Sequence, residues 1–202
     1  MLGLPIKTEL NKQLAKKIIY TKFQMNTATK EKFDADISKI AIVNEVSCAT
    51  TIIEKGEDIS SFFVLLVVLK KKDFDEKNIA MLSKLIPQNI LFVLQYEDKC
   101  RLAVYQTKLI ENQWQNIDDC KIALQGDNFD KVWENVIVQI GNINIENGNT
   151  LTQQIEIDEQ RKKLEKEIAK LEKLARTEKQ PKKKFELVQR IKNLQLEMEK
   201  TN

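Results

Sequence analysis

The sequence predicts an α+β protein: a mixed β-sheet body flanked by helices, followed by a C-terminal antiparallel helical hairpin, or coiled coil. Long apolar runs rich in β-branched residues, above all Phe62–Leu69, are typical of strands buried on both faces. After residue 150, apolar residues recur at heptad spacing among many charges, which is typical of paired helices. We therefore expect a globular body over residues 1–147 and a hairpin over residues 148–202.

The first half of the body is expected to hold two helices and three strands before a longer helix. Apolar residues at helical spacing behind Thr8, a favourable N-cap, predict a helix over Lys7–Lys17. The run Ser61–Leu69 predicts a central strand. The other elements expected are a short helix at Lys30–Ala35, strands at Ile37–Val46 and Thr50–Ile53, and a helix at Phe74–Ile86.

The second half of the body predicts a β-hairpin and a closing helix. Ile90–Gln95 is a second buried run, and the turn residues that follow it lead into a strand at Arg101–Thr107. A short edge strand is expected at Lys121–Leu124. Asp127-Asn128 begins a helix that ends near Ile140, with a glycine- and asparagine-rich connector behind it.

Two heptad seams that differ in phase predict the hairpin. The first seam is Ile157, Leu164, Ile168, Leu171 and Ala175, and the second is Leu187, Ile191, Leu194 and Met198. Arg161 interrupts the first seam once. Pro181 lies between the seams, and proline suits the first turn of a helix but not its interior. The chain is therefore expected to turn near Thr177–Pro181 and to run back along itself.

Positive charge is concentrated at this turn. Residues 151–202 hold 14 basic and 10 acidic side chains, whereas residues 1–150 hold 19 basic and 20 acidic. Three lysines open the second helix, where the helix macrodipole disfavours cations. This pattern predicts that the turn is a basic surface that binds phosphate or a protein partner. The alternative is an ordinary solvated helix end without a ligand. The six candidate residues, called the basic tip below, are Lys173, Arg176, Lys179, Lys182, Lys183 and Lys184.

Composition excludes several chemistries. The chain has no histidine, so His-based zinc sites and Ser-His or Cys-His catalytic pairs are excluded. No glycine-rich phosphate loop occurs, and no cofactor or metal is predicted.

Cys48, Cys100 and Cys120 are widely spaced and are expected to be buried thiols. No signal peptide is evident and no apolar run is long enough to span a bilayer, so we expect no membrane contact and a cytoplasmic location.

Paired carboxylates are expected to be structural. Each pair lies in a predicted turn or helix start, where aspartate hydrogen-bonds backbone N–H groups. The pairs are Asp34/Asp36, Asp73/Asp75 and Asp118/Asp119.

The element order leaves open a degenerate restriction-endonuclease-like core. Such enzymes place an acid on the second strand and an E-x-K motif on the third, where the acids bind a catalytic metal ion. Glu97-Asp98-Lys99 matches the letters of that motif but follows the wrong strand, and Glu54 is left as a lone carboxylate. A metal-dependent nuclease is therefore an alternative function rather than the leading one.

The chain also resembles a known family over nearly its full length. The stretches that carry the resemblance are Lys7–Tyr20, Ile86–Phe92, Ala123–Asp130 with Trp133–Asn135, Leu171–Lys173, and Glu178–Gln180 with Lys183-Lys184. They resemble a bacterial domain-of-unknown-function family that is often encoded beside DNA methyltransferase and helicase genes. The resemblance implies a place in restriction-like or anti-phage gene clusters and a helicase or methyltransferase as partner. It implies no catalytic residues.

Taken together, these patterns favour a non-catalytic accessory or scaffold protein of a bacterial DNA-processing or phage-defence system. Its hairpin is expected to contact a protein partner or DNA. Besides the nuclease, a self-associating structural protein is an alternative, in which hairpins from separate copies form a four-helix interface.

Overall fold

The structure, a computed structural model, describes residues 2–200, with side chains described as far as residue 198. The chain divides into two compact units, Met1–Ile143 and Asn144–Asn202. The predicted α+β class is confirmed. The first unit contains β1 (Glu9–Gln13), α1 (Lys16–Lys22), α2 (Thr27–Asp36), β2 (Ile37–Ser47), β3 (Ser61–Leu69), α3 (Glu76–Leu82), β4 (Asn89–Tyr96), β5 (Lys99–Tyr105), β6 (Leu109–Glu111), β7 (Gln115–Asn116) and α4 (Phe129–Gly141).

The strands form one mixed sheet in the order β1-β2-β3-β4-β5-β6, and β7 pairs with the other end of β5. Only β3 and β4 are parallel among the described pairs, and α3 connects them. Both of these central strands are almost entirely buried or half-buried. The apolar runs at Ser61–Leu69 and Ile90–Gln95 were therefore correctly interpreted as buried strands.

Helices cover both faces of the sheet. On one face, Leu65 and Phe92 share a buried core with Ile19 of α1, Phe33 of α2 and Leu82 of α3.

On the other face, α4 carries the apolar side chains. Phe62 of β3 stacks edge-on against Phe129 and lies tilted against Trp133, with ring centroids 6.4 and 5.2 Å apart. Aromatic pairs in these arrangements add to the stability gained from buried area. Trp133 is a core residue, since it is only 5% exposed.

The expected helix over Lys7–Lys17 is wrong. Residues 9–13 form the edge strand β1, a short 3-10 helix (Ile6–Thr8) precedes it, and the α-helix begins only at Lys16. Thr8 is not an N-cap but is buried, and its hydroxyl donates to the Pro5 carbonyl and accepts from the Asn44 side chain at 2.7 and 2.8 Å. Pairing with the otherwise open edge of β2 has outweighed local helix propensity.

The strand expected at Thr50–Ile53 is also absent, because the threonine hydroxyls bond to nearby backbone. Thr50 donates to the carbonyls of Glu45 and Ser47, and Thr51 donates to the Ser47 carbonyl, all at 3.0–3.1 Å. Such local bonds compete with strand pairing and favour a turn.

The edge strand expected at Lys121–Leu124 is reduced to a single bridge between Lys121 and Leu2. The sheet is instead extended beyond β5 by β6 and β7. These strands span three and two residues, too short for a period-two pattern to be read from sequence.

The expectation of three buried thiols is wrong. Cys100 and Cys120 are buried, but they form a disulfide, and Cys48 is exposed. No helix among the described residues is long and apolar enough to cross a membrane.

The second unit consists of two helices, α5 (Leu151–Thr177) and α6 (Pro181–Lys200). The Thr150 hydroxyl and the Gln153 side chain form a reciprocal capping box at the start of α5. Ile168, Leu171 and Ala175 of the first seam are at most 9% exposed. The α5–α6 pair confirms the predicted hairpin and its turning point.

We predict that the fragment of residues 1–147 folds without the hairpin. All described strands and the four helices α1–α4 that cover them precede residue 147. A cooperative thermal melt of the purified fragment, followed by circular dichroism, checks this expectation. An insoluble fragment, or one without a cooperative transition, would show that the hairpin belongs to the core.

Candidate nucleic-acid interface

The turn of the hairpin is tightly closed by hydrogen bonds. At the end of α5, the Glu178 N–H donates to the Leu174 carbonyl at 3.0 Å. The Glu178 carboxylate accepts from the Gln180 N–H at 2.8 Å, and the Lys184 N–H bonds the Gln180 carbonyl at 3.0 Å. Pro181 occupies the first helical position of α6, where its missing N–H costs no helical hydrogen bond. Three residues are therefore enough to reverse the chain.

The structure brings all six residues of the basic tip to this one end of the hairpin. Lys173 and Arg176 lie near the end of α5, Lys179 lies in the turn, and Lys182–Lys184 form the first turn of α6. All six side chains are exposed. None of them forms an ion pair with a residue that the structure describes. Their charges are therefore open to an external anion.

Nearby acids do little to neutralise the basic tip. Glu178 lies within the turn, but its carboxylate already accepts the Gln180 N–H. Further along, Glu167 pairs with Arg190 across the hairpin at 2.9 Å, which joins the two helices away from the turn. The start of α6 also adds the partial positive charge of a helix N-terminus to Lys182–Lys184. The basic side chains of the tip and the N-terminus of α6 both favour a bound anion over a bound cation.

An open cleft of about 720 Å³ adjoins the turn between α5 and α6. The charged residues of its lining are the bases Lys179, Lys183 and Arg190 and the acids Glu178 and Glu186, which leaves one net positive charge. Leu174 and Leu187 contribute apolar surface. A phosphate chain that contacts the basic tip therefore meets a concave surface rather than a flat one.

The residues considered for a metal-dependent nuclease site, Glu54 and Glu97–Lys99, do not form a metal-binding cluster. Glu97 lies in the β4–β5 turn with φ of 52°, and the Lys99 ammonium bonds the Asn116 side chain at 2.5 Å. Glu54 lies outside the strands, in a backbone bridge to Asn128. Among the described residues, no group of three or more cysteine, aspartate or glutamate side chains is placed to hold a metal ion.

Sequence reasoning missed a polar cluster at the end of α2. The Asp34 carboxylate accepts from the Lys16 ammonium and the Tyr20 hydroxyl, each at 2.6 Å. Partial burial together with the bond to Asp34 raises the pKa of Tyr20 to about 12. Partial burial opposes ionisation of Asp34, but the bonds from Lys16 and Tyr20 outweigh it and hold the pKa of Asp34 below its ordinary value.

Asp36, two residues later, is only 4% exposed and organises the loop between β3 and α3. Its carboxylate accepts from the Asp75 N–H and the Asn78 side chain, each at 2.9 Å, and pairs with Lys71 at 2.8 Å. Burial opposes ionisation, but these three partners outweigh it and lower the pKa of Asp36. Asp75 itself caps α3, as expected, by accepting from the Lys77 N–H at 3.0 Å.

The sequence Gly126–Asp130 is structural as well. Asn128 caps α4 by accepting from the Lys131 N–H at 3.0 Å. Asp130 accepts from the backbone N–H groups of residues 57–59 at 2.7, 3.4 and 2.8 Å. Gly56 leaves room for this carboxylate, since a Cβ at that position would overlap it. The motif therefore joins the loop before β3 to the start of α4.

We expect Asp130→Asn to lower the melting temperature at neutral pH. Partial burial opposes ionisation of Asp130, but the backbone donors outweigh it and lower its pKa, so its stabilisation is present above the ordinary carboxyl pKa of about 4. That stabilisation is lost as pH falls through the lower folded value, so the difference from wild type should shrink in acid. Asp127→Asn, at an exposed neighbour, is the matched control. A deficit that does not depend on pH would contradict this assignment.

Fold and tip together define an α+β protein that carries an exposed basic helical hairpin. A family model described as a domain of unknown function (DUF4391) matches residues 2–198, so the chain belongs to this family. The resemblance to a domain-of-unknown-function family is thereby confirmed. No curated protein and no solved structure matches the chain.

Proposed function

We propose that this protein is a non-catalytic accessory or scaffold subunit of a bacterial DNA-processing or phage-defence system, and that its basic tip contacts nucleic-acid phosphate. A helicase or methyltransferase is the protein partner that the family resemblance suggests. The observation that carries the proposal is the gathering of six exposed basic side chains at one end of the hairpin, without ion pairs to described residues.

The physical case rests on counterion release. Each lysine or arginine that neutralises a phosphate frees a condensed cation, so affinity rises steeply as salt is lowered. The turn joins the end of one helix to the start of the next, so both helix ends can contact one stretch of phosphate backbone. Residues 1–150 carry no comparable excess of charge, with 19 basic and 20 acidic side chains.

Fluorescence anisotropy with labelled duplex and single-stranded oligonucleotides tests the proposal on the full chain. The expected result is binding at low ionic strength that weakens as salt is raised. If the wild-type chain shows no salt-dependent binding at low ionic strength, contact with nucleic acid is refuted. A pull-down with a helicase or methyltransferase, the partner class that the family resemblance suggests, then tests the partner-docking form of the proposal.

The metal-dependent nuclease has weaker support, because Glu54 and Glu97–Lys99 lie in different parts of the first unit without forming a ligand group. Incubation of the chain with plasmid and single-stranded DNA in the presence of Mg²⁺ or Mn²⁺ separates the two functions. Cleavage that depends on the metal ion and on Glu97 would favour the nuclease.

A further inference from the structure

Charge is unevenly distributed within residues 1–150, although it balances over the whole range. Three short segments of the first unit carry an excess of lysine: residues 16–17 of α1, residues 30–36 of α2, and residues 70–73, which follow β3. Together these segments hold seven lysines and four acids, whereas the rest of residues 1–150 hold 12 basic and 16 acidic side chains. The overall balance therefore conceals a region of net positive charge.

Contacts around Asp34 bring the three segments together. The Asp34 carboxylate pairs with the Lys16 ammonium and accepts from the Tyr20 hydroxyl, each at 2.6 Å. Partial burial opposes ionisation of Asp34, but these bonds and the positive charges of Lys16 and Lys70 lower its pKa, so Lys70 lies near the same carboxylate. The Lys30 ammonium lies over the Tyr20 ring, 5.7 Å from its centroid. One carboxylate therefore has lysines from all three segments around it.

The segment after β3 is fixed to the end of α2 by Asp36. The Lys70 N–H donates to the Asp36 carbonyl at 2.8 Å, and the Lys71 ammonium pairs with the Asp36 carboxylate at 2.8 Å. Next to them, the Lys72 ammonium lies over the Tyr96 ring, 5.8 Å from its centroid. A cation over an aromatic ring keeps its charge, so it is held in place and can still attract an anion.

These lysines form one accessible surface. We call it the lysine face, and its residues are Lys16, Lys17, Lys30, Lys70, Lys71 and Lys72. Lys16 and Lys30 are half-buried, and the other four are exposed. Only Lys16 and Lys71 form ion pairs with residues that the structure describes. Four ammonium groups of the lysine face are therefore available to an external anion.

We propose that the lysine face is a second surface for nucleic-acid phosphate, in addition to the basic tip. The proposal takes its ligand from the proposed function and rests on it. Phosphates repeat along a nucleic-acid backbone, so a surface that presents several ammonium groups from separate segments can contact more than one of them. The basic tip was visible in sequence as a local run, whereas the lysine face is assembled only by the fold.

A fourfold variant of the full chain tests the lysine face. It replaces by glutamine the lysines without described ion pairs, namely Lys17, Lys30, Lys70 and Lys72. Fluorescence anisotropy with a duplex oligonucleotide should show affinity about tenfold lower at low salt, because phosphate contacts are lost. The slope of log affinity against log salt concentration should become shallower by about 0.9 for each lost contact. Lys16 and Lys71 are retained, so that Asp34 and Asp36 keep their partners.

The matched control removes the same charge from exposed positions elsewhere in the first unit. It replaces by glutamine Lys55, Lys77, Lys84 and Lys121. This variant should keep the wild-type affinity and slope, and thermal melts followed by circular dichroism should show that both variants fold as wild type does. Equal losses in the two variants would show that binding follows net charge, which overturns the proposal. A lysine-face variant that binds the duplex as wild type does also overturns it, whether an acidic protein or only solvent meets this surface.

Comparison with the basic-tip variant separates this proposal from the proposed function. If only the tip variant loses affinity, the lysine face is refuted and the basic tip keeps its role. If only the lysine-face variant loses affinity, the basic tip loses its role and the lysine face is supported. Where both surfaces contact phosphate, a chain with both sets of substitutions should lose slope by the sum of the two single losses, since distant sites act independently.

Discussion

Replacing Asp36 by alanine should lower the free energy of unfolding by about 2–4 kcal/mol. The substitution removes a buried carboxylate and leaves its buried hydrogen-bond donors without an acceptor. Asp36 is 4% exposed and accepts from the Asp75 N–H and the Asn78 side chain. Asn78 is itself 8% exposed, so water does not readily replace the lost acceptor. The loss should be largest in the loop that joins β3 to α3, whose backbone the carboxylate orders.

Urea unfolding followed by circular dichroism measures this effect, with Asp73→Ala as the matched control. Asp73 is an exposed carboxylate in the same loop, and its replacement should change stability by less than about 0.5 kcal/mol. Equal losses for the two variants would show that the Asp36 contacts contribute nothing particular.

The pH dependence of wild-type stability should show the same contacts. Since the pKa values of Asp34 and Asp36 are lowered in the folded state, their stabilisation is present above the ordinary carboxyl value and is lost as pH falls below it. Asp36→Ala should therefore lose less stability than wild type between neutral and acidic pH. If the variant lost as much stability as wild type between neutral and acidic pH, the role given to Asp36 would be contradicted.

Removing charge from the basic tip should have the largest effect on binding. Replacing Lys179, Lys182, Lys183 and Lys184 by glutamine should weaken oligonucleotide binding by about 100-fold at low salt, because up to four phosphate contacts are lost. Stability should stay level or rise, since like charges leave the positive end of α6.

The matched control removes the same charge elsewhere on the hairpin. Lys162, Lys163, Lys166 and Lys170 are exposed on α5, and their replacement by glutamine changes net charge equally. If that variant loses as much affinity as the tip variant, binding follows net charge and not the basic tip. If the tip variant keeps its oligonucleotide affinity but loses binding to a helicase or methyltransferase that wild type captures, the tip docks on protein.

Elements that depend on their own residues were predictable from sequence. The apolar runs of β3 and β4 need no partner to be recognised as buried strands. The spacing of apolar residues in α4, and the phase change of the seams around Pro181, likewise show a helix and a reversal locally. The basic tip was predictable for the same reason, since its residues are close together in the chain.

Elements that depend on distant partners were not predictable. Residues 9–13 form a strand because β2 offers an open edge. The Asp36–Asn78 contact joins residues 42 positions apart, so no local pattern signals it.

The slope of log affinity against log salt concentration tests most directly whether the basic tip binds phosphate. For a duplex oligonucleotide, the slope should become shallower by about 0.9 for each phosphate contact that is lost when the four tip lysines become glutamine. The α5 control variant should keep the wild-type slope. Equal slopes for wild type and the tip variant would contradict the account, since they would show that these lysines release no counterions on binding.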